Sequence, residues 1–167
     1  MSPNEASHVV ITAAMKVHSA LGAGLLESAC DACLYYELAQ TGMHFEHQVK
    51  LPITYSGIRL PTAYRGDFIV EDCLIVEIKC VEKLLPVHVA QVLSYLKLSG
   101  YKLGLLINFN VPHLRQGIRR IINGPESELR TVWSFVSLVS FVVKGTENTE
   151  ALAAREAAVV RVCRAHL

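Results

Sequence analysis

The stretch DFIVEDCLIVEIK, residues 67 to 79, constrains this chain more than any other. Two apolar segments flank an acidic pair, Glu71-Asp72, and so predict two strands joined by a tight turn. Asp67 heads the first strand, and Glu77 and Lys79 stand near the end of the second. Side chains alternate along a strand, so Glu77 and Lys79 share one face while Val76 and Ile78 take the other. The turn folds the strand bearing Asp67 back beside them. Charges are costly to bury without partners. Either the hairpin shows a solvated Glu77–Lys79 salt bridge at its surface, or the three groups gather around something. Two adjacent carboxylates repel unless a cation sits between them, and oxygen ligands suit Mg²⁺ or Mn²⁺. A lysine beside such a metal can orient or deprotonate an attacking water and steady developing charge on a phosphate.

The rest of the chain permits one packed domain around that hairpin. Hydrophobic residues make up 51 % of the 167 residues and charged residues 19 %, which excludes disorder over most of the length. The formal net charge of +1 gives no bulk argument for or against nucleic acid, so any basic surface must come from local clustering. Glu5 and His8 interrupt the N-terminus where a secretory signal needs an apolar run. The longest apolar run, WSFVSLVSFVV at 133–143, is broken by serines and is about half a bilayer span, so no membrane segment is expected. Five irregularly spaced cysteines do not form a disulfide framework. The expectation is a cytoplasmic protein with free thiols.

Periodicity supplies the order of elements. Val10, Ala14, Val17 and Leu21 recur at helical spacing and predict a helix over residues 5–21, followed by a second from Leu25 to Ala39 that Thr41-Gly42 stops. VKLPITY at 49–55 alternates as a strand, Ser56-Gly57 turns it, and IRLPTAYRGDFIV leads into the hairpin. VHVAQVLSYLKLSG returns to helical spacing and ends at Gly100, and LGLLINF at 103–109 reads as a strand covered on both faces. After Pro112, HLRQGIRRII is expected to be a short basic helix. Together these give an α/β layer around a mixed sheet of about four strands. The domain is taken as residues 1–123, and residues 124–167 as an extension ending in an alanine-rich amphipathic helix candidate. That tail carries no motif with chemistry; a homodimer is one use for it.

Other residues bear on the charged hairpin. Glu27 lies one helical turn from Cys30, with Leu34 on the same side, and is an acid on a mostly apolar face. Gln91 and Tyr95 are four apart on one helix and point the same way. His113, Arg115, Arg119 and Arg120 concentrate positive charge, with Arg115 and Arg119 on one face of the expected helix. Each has a plainer account: a solvated helix acid, an ordinary core edge, a solvated basic face. Cys30-x-x-Cys33 has the spacing of half a zinc site, but it falls within a helix, and Cys73 and Cys80 are unevenly placed partners. Small core residues are the better reading of them. His88 is at most a neighbour of bound phosphate.

A helix-borne Glu, then Asp, Glu-x-Lys and Gln-x-x-x-Tyr in this order resembles the PD-(D/E)xK nuclease superfamily. More narrowly, GAGLLESAC, YRGDFIVEDCLIVEIK, LLPVHVAQVLSYLKLSG and LGLLINFNVPHLRQGIRRIIN are similar to the bacterial GxxExxY family, from about residue 5 to residue 123. The resemblance implies a restriction-endonuclease-like αβββαβ core and a metal-dependent nuclease acting on DNA or RNA. It implies that Asp67 and Glu77 hold Mg²⁺ or Mn²⁺, with Glu27 as an additional metal-side acid and Lys79 as the catalytic lysine. Gln91 and Tyr95 would line the site, and the basic segment would track the phosphate backbone. Two positions depart from the pattern: Cys30 stands where the family motif has tyrosine, and Gly66 where the superfamily motif has proline. A binding module of the same fold without catalysis is the competing reading.

Overall fold

A computed structural model of the chain describes residues 1–124; the expectations for the tail lie outside the described residues. Helix α1, Pro3–Leu21, opens on a reciprocal cap in which Ser2 Oγ accepts from the Glu5 N–H and the Ser2 N–H donates to Glu5 Oε2 at 2.8 Å. Pro3 occupies the first turn, where its missing N–H costs nothing. Gly22, at φ 74°, closes the helix with its N–H on the His18 carbonyl. Val10, Ala14 and Val17 are buried as expected, whereas Leu21, in the last turn, is exposed. Helix α2 spans Glu27–Ala39 and buries Cys30, Leu34 and Leu38.

The sheet has five strands in the order β1-β2-β3-β4-β5. Strand β1, Phe45–Tyr55, pairs antiparallel with β2, Ile58–Val70, through a two-residue turn at Ser56-Gly57 with φ 50° and 77°. Strand β2 pairs antiparallel with β3, Leu74–Lys79. The acidic turn between them holds Glu71 and Asp72 at φ 52° and 51°, a conformation that side chains resist. Glu71 offsets the cost by clamping His44: its N–H donates to the His44 carbonyl and its Oε1 accepts the His44 N–H, both at 2.9 Å.

Helix α3, Pro86–Ser99, then crosses over to β4, Leu103–Asn108, which runs parallel to β3. Two core clusters define the layers. Ala6, Val10, Leu34 and Leu38 of α1 and α2 pack on Phe68, Val76, Ile78 and Leu105. On the opposite face, Val92, Tyr95 and Leu96 of α3 pack on Ile69, Ile75 and Leu106. Helix α3 seats tightly because β4 offers Gly104, where a Cβ would meet Val92 Cγ1 at 2.6 Å.

The basic segment departs from expectation. Only Leu114–Gly117 is helical, as α4, and Ile118–Ile122 forms β5, antiparallel to β4. The sheet therefore has five strands rather than about four, and Arg115 and Arg119 do not share a helix face. Ile118 and Ile122 join the α1/α2 core and Ile121 the α3 core, so strand alternation sends Arg119 and Arg120 to opposite faces. Pairing with β4 buries those isoleucines on both sides of the sheet, which a helix at the sheet edge would not do.

Candidate active site

Strand β3 delivers its two charged residues as the alternation requires. Val76 and Ile78 enter the α1/α2 core, and Glu77 and Lys79 have the parity of Ile75, which faces α3. Asp67 arrives from β2, just ahead of the Phe68–Val76 pair. Its Oδ2 accepts the Ile78 N–H at 2.8 Å, which fixes the carboxylate against the strand bearing Glu77. Opposite Asp67 in the β1 register lies Gln48, a non-glycine residue at φ 56° that interrupts the regular strand there.

Glu77 is 2 % exposed. Lys79 Nζ donates to its Oε1 at 2.6 Å, and Oε2 is buried with no hydrogen-bond partner among the described residues. The ion pair that the plainer reading placed at the surface is thus present, but inside. Burial first, and the Asp67 carboxylate second, push Glu77 up to about 7, against the pull of Lys79. Asp67 is likewise raised by burial, despite the Ile78 N–H and the Lys79 charge that favour its ionised form. Burial alone would lower the Lys79 ammonium; the carboxylates of Glu77, Glu27 and Asp67 outweigh it and raise the group.

Glu27 starts α2 and meets the same place from the other layer. Its Oε2 accepts the Cys80 N–H at 3.2 Å and its Oε1 lies 3.9 Å from Lys79 Nζ. Half exposed, it stands with the lysine at the mouth of the site. Among the described residues no three His, Cys, Asp or Glu side chains gather as a metal-holding group, so Glu27 does not close a cage with Asp67 and Glu77. On α3, Gln91 Nε2 donates to the Tyr95 hydroxyl at 2.5 Å, and that hydroxyl donates to the Arg65 carbonyl at 3.2 Å. Burial raises Tyr95, the Gln91 bond opposes this, and Glu77 and Asp67 reinforce it. The tyrosine is therefore part of the field around the two acids.

Other expected residues fall elsewhere. Arg120 donates to Asn4 Oδ1 at 2.7 Å and Ser7 Oγ at 3.4 Å, which ties β5 to α1. Arg119 Nη1 donates to the carbonyls of Gln116 and Ile118. All four of His113, Arg115, Arg119 and Arg120 are exposed. His88 Nδ1 accepts the Leu85 N–H at the start of α3, a capping role that its position at the helix entry explains.

Two contributors were not foreseen. Buried Asn108 receives the Val81 N–H at 3.0 Å and donates to the Val81 carbonyl at 2.7 Å, holding the chain just beyond Lys79. The signal was present in LGLLINF, whose only polar side chain is this asparagine. Asp31, one turn beyond Glu27, pairs with His47 at 2.8 Å and raises Asp67 through its charge.

The arrangement defines an α/β protein with an acid–acid–lysine centre at the C-terminal end of a sheet strand, where open sheets place their sites. The chain belongs to the PD-(D/E)XK nuclease superfamily, whose family model matches residues 4–121. Members of this superfamily are usually nucleases that use divalent metals. Among solved structures, the crystal structure of SSO0001 resembles the chain at 20 % identity with a TM-score of 0.43, covering 59 % of this chain. The match spans half the length of that other chain. No curated protein matches the sequence significantly. Among the described residues no helix is long and apolar enough to cross a membrane.

Proposed function

We propose that this protein hydrolyses phosphodiester bonds of nucleic acid at the centre formed by Asp67, Glu77 and Lys79, and that it belongs to the GxxExxY branch of the superfamily. Glu77 Oε2, buried and without a partner among the described residues, carries the reading. An acceptor sealed from water costs stability unless something outside the chain completes it, and a hard divalent cation suits an oxygen-only donor pair. Asp67 and Glu77 would hold Mg²⁺ or Mn²⁺, which when bound polarises the phosphate and activates water.

The chain's own residues divide the remaining work. Lys79, held as an ammonium by three carboxylates, is a cationic donor toward phosphate rather than a base. Glu27, on the Lys79 side, keeps that ammonium at the mouth of the site. The Tyr95 hydroxyl, braced by Gln91, fixes the β2 backbone at Arg65, two residues before Asp67. Arg119 and Arg120 direct their guanidinium groups to contacts within the fold, which leaves Arg115 and His113, also exposed, as the members of the basic set placed to meet a phosphate backbone.

The test is cleavage of labelled single- and double-stranded DNA and RNA with Mg²⁺, Mn²⁺ or chelator, by wild type and by Asp67→Asn. Metal-dependent cutting that disappears in the variant supports the assignment. Wild-type protein that cuts no substrate, and shows no metal binding by calorimetry, would leave a binding module of nuclease fold.

A further inference from the structure

Cys30 and Cys80 bring their thiols together at the rim of this site. Cys30 lies one turn past Glu27 in α2, Cys80 directly follows Lys79, and the two Sγ atoms are 3.1 Å apart with both side chains as free thiols. Each backbone is fixed on its own. The Cys30 N–H donates to the Leu26 carbonyl at 3.1 Å, and Cys80 is flanked by its own N–H bond to Glu27 and by the Phe109 N–H on the Lys79 carbonyl at 2.8 Å. A disulfide holds its sulfurs at about 2.05 Å, so closure needs an approach of roughly 1 Å. The other described cysteines are poorly placed to compete. Cys33 is on the same helix as Cys30, and Cys73 precedes β3 at its far end, with its thiol directed to the Val70 carbonyl.

We propose that Cys30 and Cys80 are a redox pair whose disulfide fastens the start of α2 to the end of β3. The oxidant is a low-molecular-weight disulfide. Cys80, the half-buried partner, attacks one sulfur of the reagent as its thiolate. The reagent's S–S bond breaks, and one small thiolate leaves with the electron pair and takes up a proton. Cys30, after losing its own proton, attacks Cys80 Sγ in the mixed disulfide and expels the second small thiol. Two protein thiols are oxidised, one small disulfide is reduced to two thiols, and the protein's two protons end on the released thiols. Burial raises both cysteines and slows the attack, which places closure toward the slow end of seconds to hours.

The test uses the full chain with Cys33→Ser, Cys73→Ser and Cys163→Ser, so that only this pair remains, treated with oxidised glutathione. The expected product has lost two hydrogens in intact mass, resists alkylation after denaturation, and melts about 5–10 °C higher, with dithiothreitol reversing all three. Adding Cys80→Ser must abolish the closure. In wild-type protein, peptide mapping must find Cys30 joined to Cys80. Unchanged mass with both thiols still alkylatable, a persistent glutathione adduct on Cys80, or a wild-type link between other cysteines would overturn the proposal. These readouts are covalent, so they stand or fall separately from nuclease activity.

Discussion

Lys79 Nζ lies 2.6 Å from Glu77 Oε1, while the other oxygen of that carboxylate is buried and without a partner among the described residues. One side chain thus has one oxygen neutralised from within the fold and the other held in reserve. A buried acceptor left without a partner costs about 1–3 kcal/mol, and such costs persist where function needs them.

The first consequence is a pH-dependent stability that a divalent cation modifies. Glu77 titrates near 4.5 in the unfolded chain and is pushed up to about 7 in the folded one. Between those values the folded protein retains a proton that the unfolded chain has released. Stability from this group therefore falls as pH rises through that window and levels off above it. Raised Asp67 acts in the same direction. Thermal melts from pH 4.5 to 8 should show the decline in chelator, and Glu77→Gln should flatten it. Mg²⁺ should raise Tm more at pH 8 than at pH 5, because it binds the ionised pair. An equal shift at both values would show that it binds elsewhere.

Lys79→Met keeps most of the buried stem and removes the charge. Cleavage should fall by about 10²–10³, the usual loss when one charge-stabilising donor leaves a site. Lys79→Arg should recover only part of it, because a planar guanidinium does not reproduce the compact ammonium against Glu77. A Met variant that cuts at the wild-type rate would remove Lys79 from the chemistry and leave it as the counter-charge of Glu77.

Much of this arrangement was legible in the chain. Alternation in LIVEIK assigned Glu77 and Lys79 to one face, and the Glu71-Asp72 turn returned Asp67 beside them. The fate of Glu27 was only half legible: its helix was evident, but that its carboxylate would end on the Cys80 N–H depends on how α2 packs against the end of β3. Strand β5 was not legible. IRRII has no two-residue alternation, and the preceding HLRQG continues it at helical spacing. What makes it a strand is the open edge of β4, a long-range partner that local pattern does not announce.

Two glycines should prove intolerant for different reasons. Gly104→Ala places a methyl against Val92 and Leu96, whose side chains can give, so the cost should be about 1–3 kcal/mol in denaturant unfolding. At Gly117 a Cβ would overlap the Asn108 carbonyl oxygen, which is backbone and cannot rotate away. Gly117→Ala should therefore be the more damaging of the two, and it should loosen the Asn108–Val81 bonds that brace the chain beyond Lys79. The reverse ranking would mean that β4 and α4 separate more easily than the packing implies.

The arginines make a last comparison in which charge removed is the same and geometry differs. Arg115 is exposed on α4, whereas Arg120 is spent on Asn4 and Ser7 of α1. If Arg115 meets a phosphate of duplex substrate, Arg115→Ala should reduce the slope of log affinity against log salt by about 0.9, the counterion released by one contact. Arg120→Ala should leave that slope unchanged and instead lower stability by about 1 kcal/mol through its lost hydrogen bonds. Binding titrations from low to moderate salt, run with chemical unfolding of the same three proteins, separate the two effects. A slope that moves in Arg120→Ala and not in Arg115→Ala would put the phosphate track on the α1 face of β5, away from Arg115.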